Sequence, residues 1–297
     1  MTGLGALIKR NCKLFFKDKG MFFTSLITPV ILLVLYATFL AKVYKDAFVS
    51  AMPAGFTVGD ALINGTVGGQ LVSSLLAVCC VTVAFCSNLL MVQDKISGAR
   101  RDLTMSPVKK STLALGYFAA SGLATLLICF VALGVCLLYL RFTGWYMSAS
   151  DAALLGLDVV MLVLFGTALS SLINCNLSTN GQASAVGTVV SAGYGFICGA
   201  YMPISSFGEG LQKVLSFLPG TYGTALVRSH TLAGVCEEMG HFGFPGEVIE
   251  GIRDSIDCNI YFFGERVSTG GMYCVMAVSV AALIGIYVLI NLIRKKD

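Results

Sequence analysis

Charge is scarce in this chain. Asp, Glu, Lys and Arg make up 12% of its 297 residues, against about 25% in a typical soluble domain. They are missing altogether between Lys19 and Lys42, Asp60 and Asp94, Lys110 and Arg141, Asp158 and Glu209, and Arg266 and Arg294. Each window can hold the roughly 20 apolar residues a helix needs to cross about 30 Å of hydrocarbon. Lipid offers the backbone no hydrogen-bonding partner, so only helices or closed barrels span it, and the windows lack the alternation a barrel strand requires. The window after Asp158 holds 50 residues and is interrupted by the polar run from Asn174 to Gly181, so it counts as two spans. The expected fold is an all-α integral membrane protein with six transmembrane helices, at about 22–41, 67–92, 112–140, 152–173, 182–201 and 272–293, forming one transmembrane domain over residues 1–297.

Other absences exclude chemistry. No GxxxxGKS or GxxxxGKT phosphate loop occurs, so the chain does not bind ATP in that manner, and no HExxH zinc motif is present. No catalytic residues are assigned, and the chain is not expected to be an enzyme. There are two histidines. His230, Cys236 and His241 are a weak set of metal ligands, and no metal or nucleic-acid partner is expected. None of the eleven cysteines shows zinc spacing, and nine lie in or beside the spans or their inner ends, where a thiol behaves as a small hydrophobe. Cys236 and Cys258 are external and 22 residues apart, which leaves a disulfide open where the compartment is oxidising.

The charges that are present set an orientation. Lys9, Arg10, Lys13, Lys17 and Lys19 precede the first span, Lys95, Arg100, Arg101, Lys109 and Lys110 separate the second from the third, and Arg294, Lys295 and Lys296 follow the last. By the positive-inside rule both termini and the 95–110 loop are cytoplasmic, and the first hydrophobic window is an uncleaved anchor in the cell membrane. Residues 202–271 lie outside and carry eight acids against four bases.

Local patterns refine this plan. Over residues 4–17, Leu4, Leu7, Ile8, Cys12, Leu14, Phe15 and Phe16 share one arc at helical spacing, with Lys9, Arg10, Lys13 and Lys17 opposite. That predicts an interfacial helix, read either as an anchor for the first span or as a lever that receives force from a cytoplasmic partner. Between Tyr201 and Arg228 the chain is apolar but broken by Pro203, Gly208, Gly210, Pro219 and Gly220. This predicts an external re-entrant hairpin of short helices at about 207–217 and 221–233. Val248, Ile249, Ile252 and Ile256 then mark an external amphipathic helix. Asp158 is the one acid inside a predicted span, where a carboxylate costs roughly 2.5–3.5 kcal/mol. It either pairs with a neighbour or water, or forms an intramembrane site for a cation or proton.

The loop from Gln93 to Ala120 resembles the segment after the second span in membrane subunits of type-2 ATP-binding cassette (ABC) exporters. There an acidic residue and a glycine precede a short helix and a proline, matched here by Asp94, Gly98, Asp102 and Pro107, although the family usually has Glu where this chain has Asp94. The external segment is similar to the family's signature after the fifth span, carried by Gly199, Pro203, Pro219, Tyr222 and Arg228. The resemblance implies a permease subunit of an ATP-driven exporter, working by alternating access at a dimer interface. Its partners would be a second permease, identical or homologous, membrane lipid, and two nucleotide-binding subunits that hold ATP and Mg. Asp94, Gly98, Arg100, Arg101, Asp102 and Pro107, with the helix carrying Lys9, Arg10, Lys13, Phe15 and Lys17, would couple to the ATPase. The cargo would be an amphiphilic drug, peptide or lipid-like molecule, with polysaccharide as the alternative. An ATP-independent channel or secondary transporter is the rival reading.

Overall fold

A computed structural model describes residues 2–42, 45–46 and 59–293. The terminal cluster Arg294, Lys295 and Lys296 lies outside the described residues. Helix α1 (Thr2–Lys17) ends one residue before α2 (Lys19–Leu35), and the two meet at 74°. Asp18 makes the corner: it stands outside both helices, and its carboxylate accepts from the Met21 amide at 3.1 Å, capping α2. Pro29 sits inside α2, which runs on into a π-helical turn at Tyr36–Leu40.

Helices α3 (Asp60–Ser87) and α4 (Leu89–Ile96) form one 37-residue apolar unit with a joint at Asn88. Gly98, at φ +83°, starts the short α5 (Ala99–Met105), a conformation an L side chain rarely adopts. Then come α6 (Lys110–Thr143) and α7 (Ala149–Asn174). The latter opens with a reciprocal capping box, Ser148 accepting from the Asp151 amide and Asp151 from the Ser148 amide. Thr179 caps α8 (Asn180–Ile197). Residues 202–271 contain α9 (Glu209–Leu215), α10 (Pro219–His241) and α11 (Gly246–Ser255), and α12 (Thr269–Ile293) follows.

Among the described residues four helical units are long and apolar enough to cross a membrane: α3–α4, α6, α7 and α12. The bent pair α1–α2 makes a fifth if counted as one span. These match the expected second, third, fourth and sixth spans. The chain is an all-α, multi-pass membrane protein. At 34 residues and about 1.5 Å per residue, α6 is close to 50 Å long, so it exceeds the hydrocarbon thickness.

Two features depart from expectation. The helix expected at 221–233 runs from Pro219 to His241 and is buried along most of its length against α3, α7 and α12. Small residues permit this approach: a Cβ at Gly223 would overlap Leu162, and one at Gly234 would fall on the Tyr146 carbonyl. The second departure is an antiparallel ribbon, β1 (Tyr261–Phe262) with β2 (Glu265–Arg266). Its two-residue turn places Phe263 at φ 49° and Gly264 at φ 89°, the paired positive angles that match the twist of a tight hairpin.

Candidate functional site

The amphipathic helix α1 is joined to α4 by a clasp. Arg10 in α1 donates from Nη1 to Asp94 Oδ2 at 2.7 Å and from Nη2 to Asp94 Oδ1 at 3.1 Å. Tyr117 of α6 donates its hydroxyl to the same Oδ2 at 2.6 Å. Asp94 is 5% exposed, so its charge is met by a bidentate guanidinium and a phenol rather than by water. The backbone beneath is fixed too. Lys95 reaches the carbonyls of Asn174, Cys175 and Leu177 at 3.3, 2.5 and 2.7 Å, placing a cation on the C-terminal end of α7, where the helix dipole favours it.

This geometry divides the residues expected to meet an ATPase. Asp94 and Arg10 are used up on each other, and Phe15 is buried in the core. Arg100 turns inward, donating to Asn291 of α12 at 3.0 Å. Lys9, Lys13, Lys17, Arg101, Asp102 and Pro107 are exposed, and Gly98 is half-buried.

Beside the clasp lies a groove of about 730 Å³ between α2, α3–α4 and α8, a volume within the range of small-molecule sites. The twelve described residues lining it are uncharged. Thr24, Gln93, Asn180, Ser184, Thr188 and Ser191 supply hydroxyl and amide groups, set among Leu89, Val92 and small side chains. Gln93 touches the groove while its neighbour Asp94 is held in the clasp.

At the other end of the bundle, two residues of the 199–228 motif, Gly199 and Arg228, meet. Arg228, 1% exposed, donates to the carbonyls of Ile256 at 2.6 Å and Gly199 at 2.9 Å, and to the Ser74 hydroxyl at 3.3 Å; Asp257 lies 3.7 Å away. Gly199 is in the left-handed region at φ +75°. Asp257 also accepts from the Ile204 amide at 2.5 Å, one residue after Pro203. Burial pushes the Asp257 carboxyl up, and Arg228 with the Ile204 and Ser205 amides pulls it back only in part. Pro219 occupies the first turn of α10, where its missing N–H costs nothing, and Tyr222 donates to the Ser216 carbonyl at 2.6 Å. Cys236 and Cys258 sit in one apolar cluster and are free thiols. Burial raises both, Cys258 to about 12, which keeps them protonated.

His230, Cys236 and His241 are not gathered into one cluster; among the described residues no group of three such side chains could hold a metal ion. His230 instead faces Asp158, Nδ1 to Oδ2 at 2.6 Å, while His241 lies 3.4 Å from Glu238 at the surface. Asp158 is thus paired within the bundle.

Residues 2–232 match the family described as ABC-2 type transporter. The chain belongs to the ABC-2 type transporter family. It is a membrane permease component of that family, and such permeases normally work with an ATP-binding subunit. The match covers the clasp, the groove and the first part of α10; α11, the ribbon and α12 lie beyond it. No curated protein matches the chain.

Sequence reasoning missed Tyr117 in the clasp, Asp257 beside Arg228, and the partners His230 and Tyr273 of Asp158. Each is an ordinary residue in an apolar or loop segment, and only its helical phase relative to a distant acid or base would have marked it.

Proposed function

We propose that the chain is the permease subunit of an ATP-driven exporter in the cell membrane, with both termini cytoplasmic. Two permeases and two separate nucleotide-binding subunits, which bind ATP and Mg, complete the transporter. The six-span plan takes α2 as the first span and α8 as the fifth, and α9–α10 as the external re-entrant hairpin within one transmembrane domain. The observation that carries this reading is the adjacency of Gln93 in the groove and Asp94 in the clasp. Motion imposed on α1 from the cytoplasmic side reaches the groove wall through one turn of α4, and packed helices respond by switching between discrete arrangements.

The side open to a second permease is the α8 face. This helix is rich in glycine, serine and alanine, the composition of a close-packed helix in lipid, yet it buries only Ala183, Tyr194 and Gly195. The uncharged groove suits an amphiphilic drug, peptide or lipid-like cargo, with its hydroxyl groups also compatible with a polysaccharide. Exposed Lys9, Lys13, Lys17, Arg101 and Asp102 form the surface offered to the ATPase.

The test is to purify the chain from its native membrane, identify a co-purifying phosphate-loop subunit, and measure ATP-driven transport in liposomes for Arg10→Glu, Asp94→Arg and the double swap. Each single variant should lose transport by about tenfold or more, because it leaves a buried charge without its partner, and the swap should recover part of it. A chain that purifies alone and moves solutes without ATP belongs with channels or secondary transporters instead.

A further inference from the structure

Three helices meet at one buried carboxylate. Asp158 of α7 is 1% exposed. Its Oδ2 is 2.6 Å from His230 Nδ1 of α10, and its Oδ1 accepts from the Tyr273 hydroxyl of α12 at 2.5 Å. The His230 and Tyr273 rings stack with centroids 6.4 Å apart and planes at 25°. A Lys or Arg at position 230 would make a permanent ion pair. Histidine makes a conditional one, because its charge comes and goes near neutral pH. His230 is 9% exposed and Tyr273 is half-buried, while Asp158 is covered.

We propose that Asp158, His230 and Tyr273 form a proton-binding site that latches α10 onto α7 and α12, closed when His230 carries its proton and loosened when it does not. The site lies at the end of the bundle away from the Arg10–Asp94 clasp and is independent of any cargo or ATPase. Burial works against the imidazolium, but the contact with Asp158, helped by Asp151, outweighs it, and His230 ends above its ordinary value. The other elements packed on α10 leave the pair to itself. Helix α3 has no ionisable side chain between Asp60 and Cys79, α12 contributes Tyr273, and of the four charges of α11, Glu247, Glu250, Arg253 and Asp254, Glu250 and Arg253 act further along at Cys236. Arg228 on α10 is committed to Ile256, Gly199, Ser74 and Asp257. The sign follows from linkage: the latch is fully closed below the ordinary histidine value of about 6.5 and is lost as pH rises through the raised folded value.

Hydrogen exchange of residues 226–241 in the full-length protein in nanodiscs, corrected for intrinsic rates, tests this between about pH 5.5 and 8.5. Wild type should exchange severalfold faster at the alkaline end, because the charged contact with Asp158 is lost there. His230→Gln keeps a hydrogen bond but cannot titrate, so its profile should be flat. Tyr273→Phe should keep the titration with faster exchange throughout. Asp158→Asn should be fast and flat, and if it does not fold, the other two variants still decide. A flat wild-type profile, or a His230→Gln profile that rises as wild type does, overturns the proposal.

Discussion

Over an apolar 18-residue stretch the spans α3–α4 and α12 have the same mean hydropathy, 2.4, yet 89% of that stretch is buried within the protein in the first and only 17% in the second. Lipid is as apolar as leucine, so hydropathy brings a helix into the membrane without saying where in the bundle it sits. Side-chain size and hydrogen bonding make that choice. Helix α3 carries Gly65, Gly68, Gly69, Ser73, Ser74, Cys79, Cys80 and Thr82, and it touches α2, α6, α7, α8 and α10. Its far end is fastened by hydroxyls and an amide: Ser87 lies 2.6 Å from the Ser121 hydroxyl and 2.9 Å from that of Thr125, while Asn88 donates to Ser170 and Ser171 at 3.0 and 2.7 Å. Helix α12 instead turns Val278, Ile286, Leu289, Leu292 and Ile293 outward.

The contrast can be broken most severely at Gly166 of α7, where a Cβ would lie 2.9 Å from the Cys80 carbonyl oxygen and the Val81 Cα of α3. Gly166→Leu cannot be absorbed by rotating a side chain, and it should destabilise the protein by about 3 kcal/mol or more, read as a large fall in the thermal midpoint in detergent. Next comes Asn88→Leu, which removes two hydrogen bonds between α3–α4 and α7. A loss of about 1 kcal/mol is expected, given what such bonds contribute inside membranes, and the same thermal assay resolves it. The smallest effect belongs to Leu289→Ala on α12, a side chain from a residue 54% exposed. It should stay within about 0.5 kcal/mol. A Leu289→Ala cost as large as that at Asn88 would mean that α12 has a packing partner beyond this chain.

The same physics explains what could be read from the sequence. Gaps between charges located α3–α4, α6, α7 and α12, because excluding charge from lipid is a local requirement. They could not say that α3 is central and α12 peripheral, since that depends on which surfaces meet. Among the coupling residues, Asp94 was recognisable from its loop, but its partner Arg10 lies 84 residues earlier and meets it only because α1 folds back along α6. His230 and His241 are 11 residues apart on one helix, about 16 Å along its axis. That separation prevents a shared ion and leaves His230 for Asp158. The ribbon at Tyr261–Arg266 has two residues per strand, too few for any periodicity to register.

The Arg10–Asp94 clasp also imposes an order of events during synthesis. Arg10 leaves the ribosome first, and at roughly 5–20 residues per second the 84-residue interval delays its partner by about 4–17 s. Tyr117 arrives later still. For that time α1 has no acid to hold it, and its apolar arc must rest on the bilayer surface until α4 and α6 have been inserted. The amphipathic design of α1 therefore serves the nascent chain before it serves the finished one.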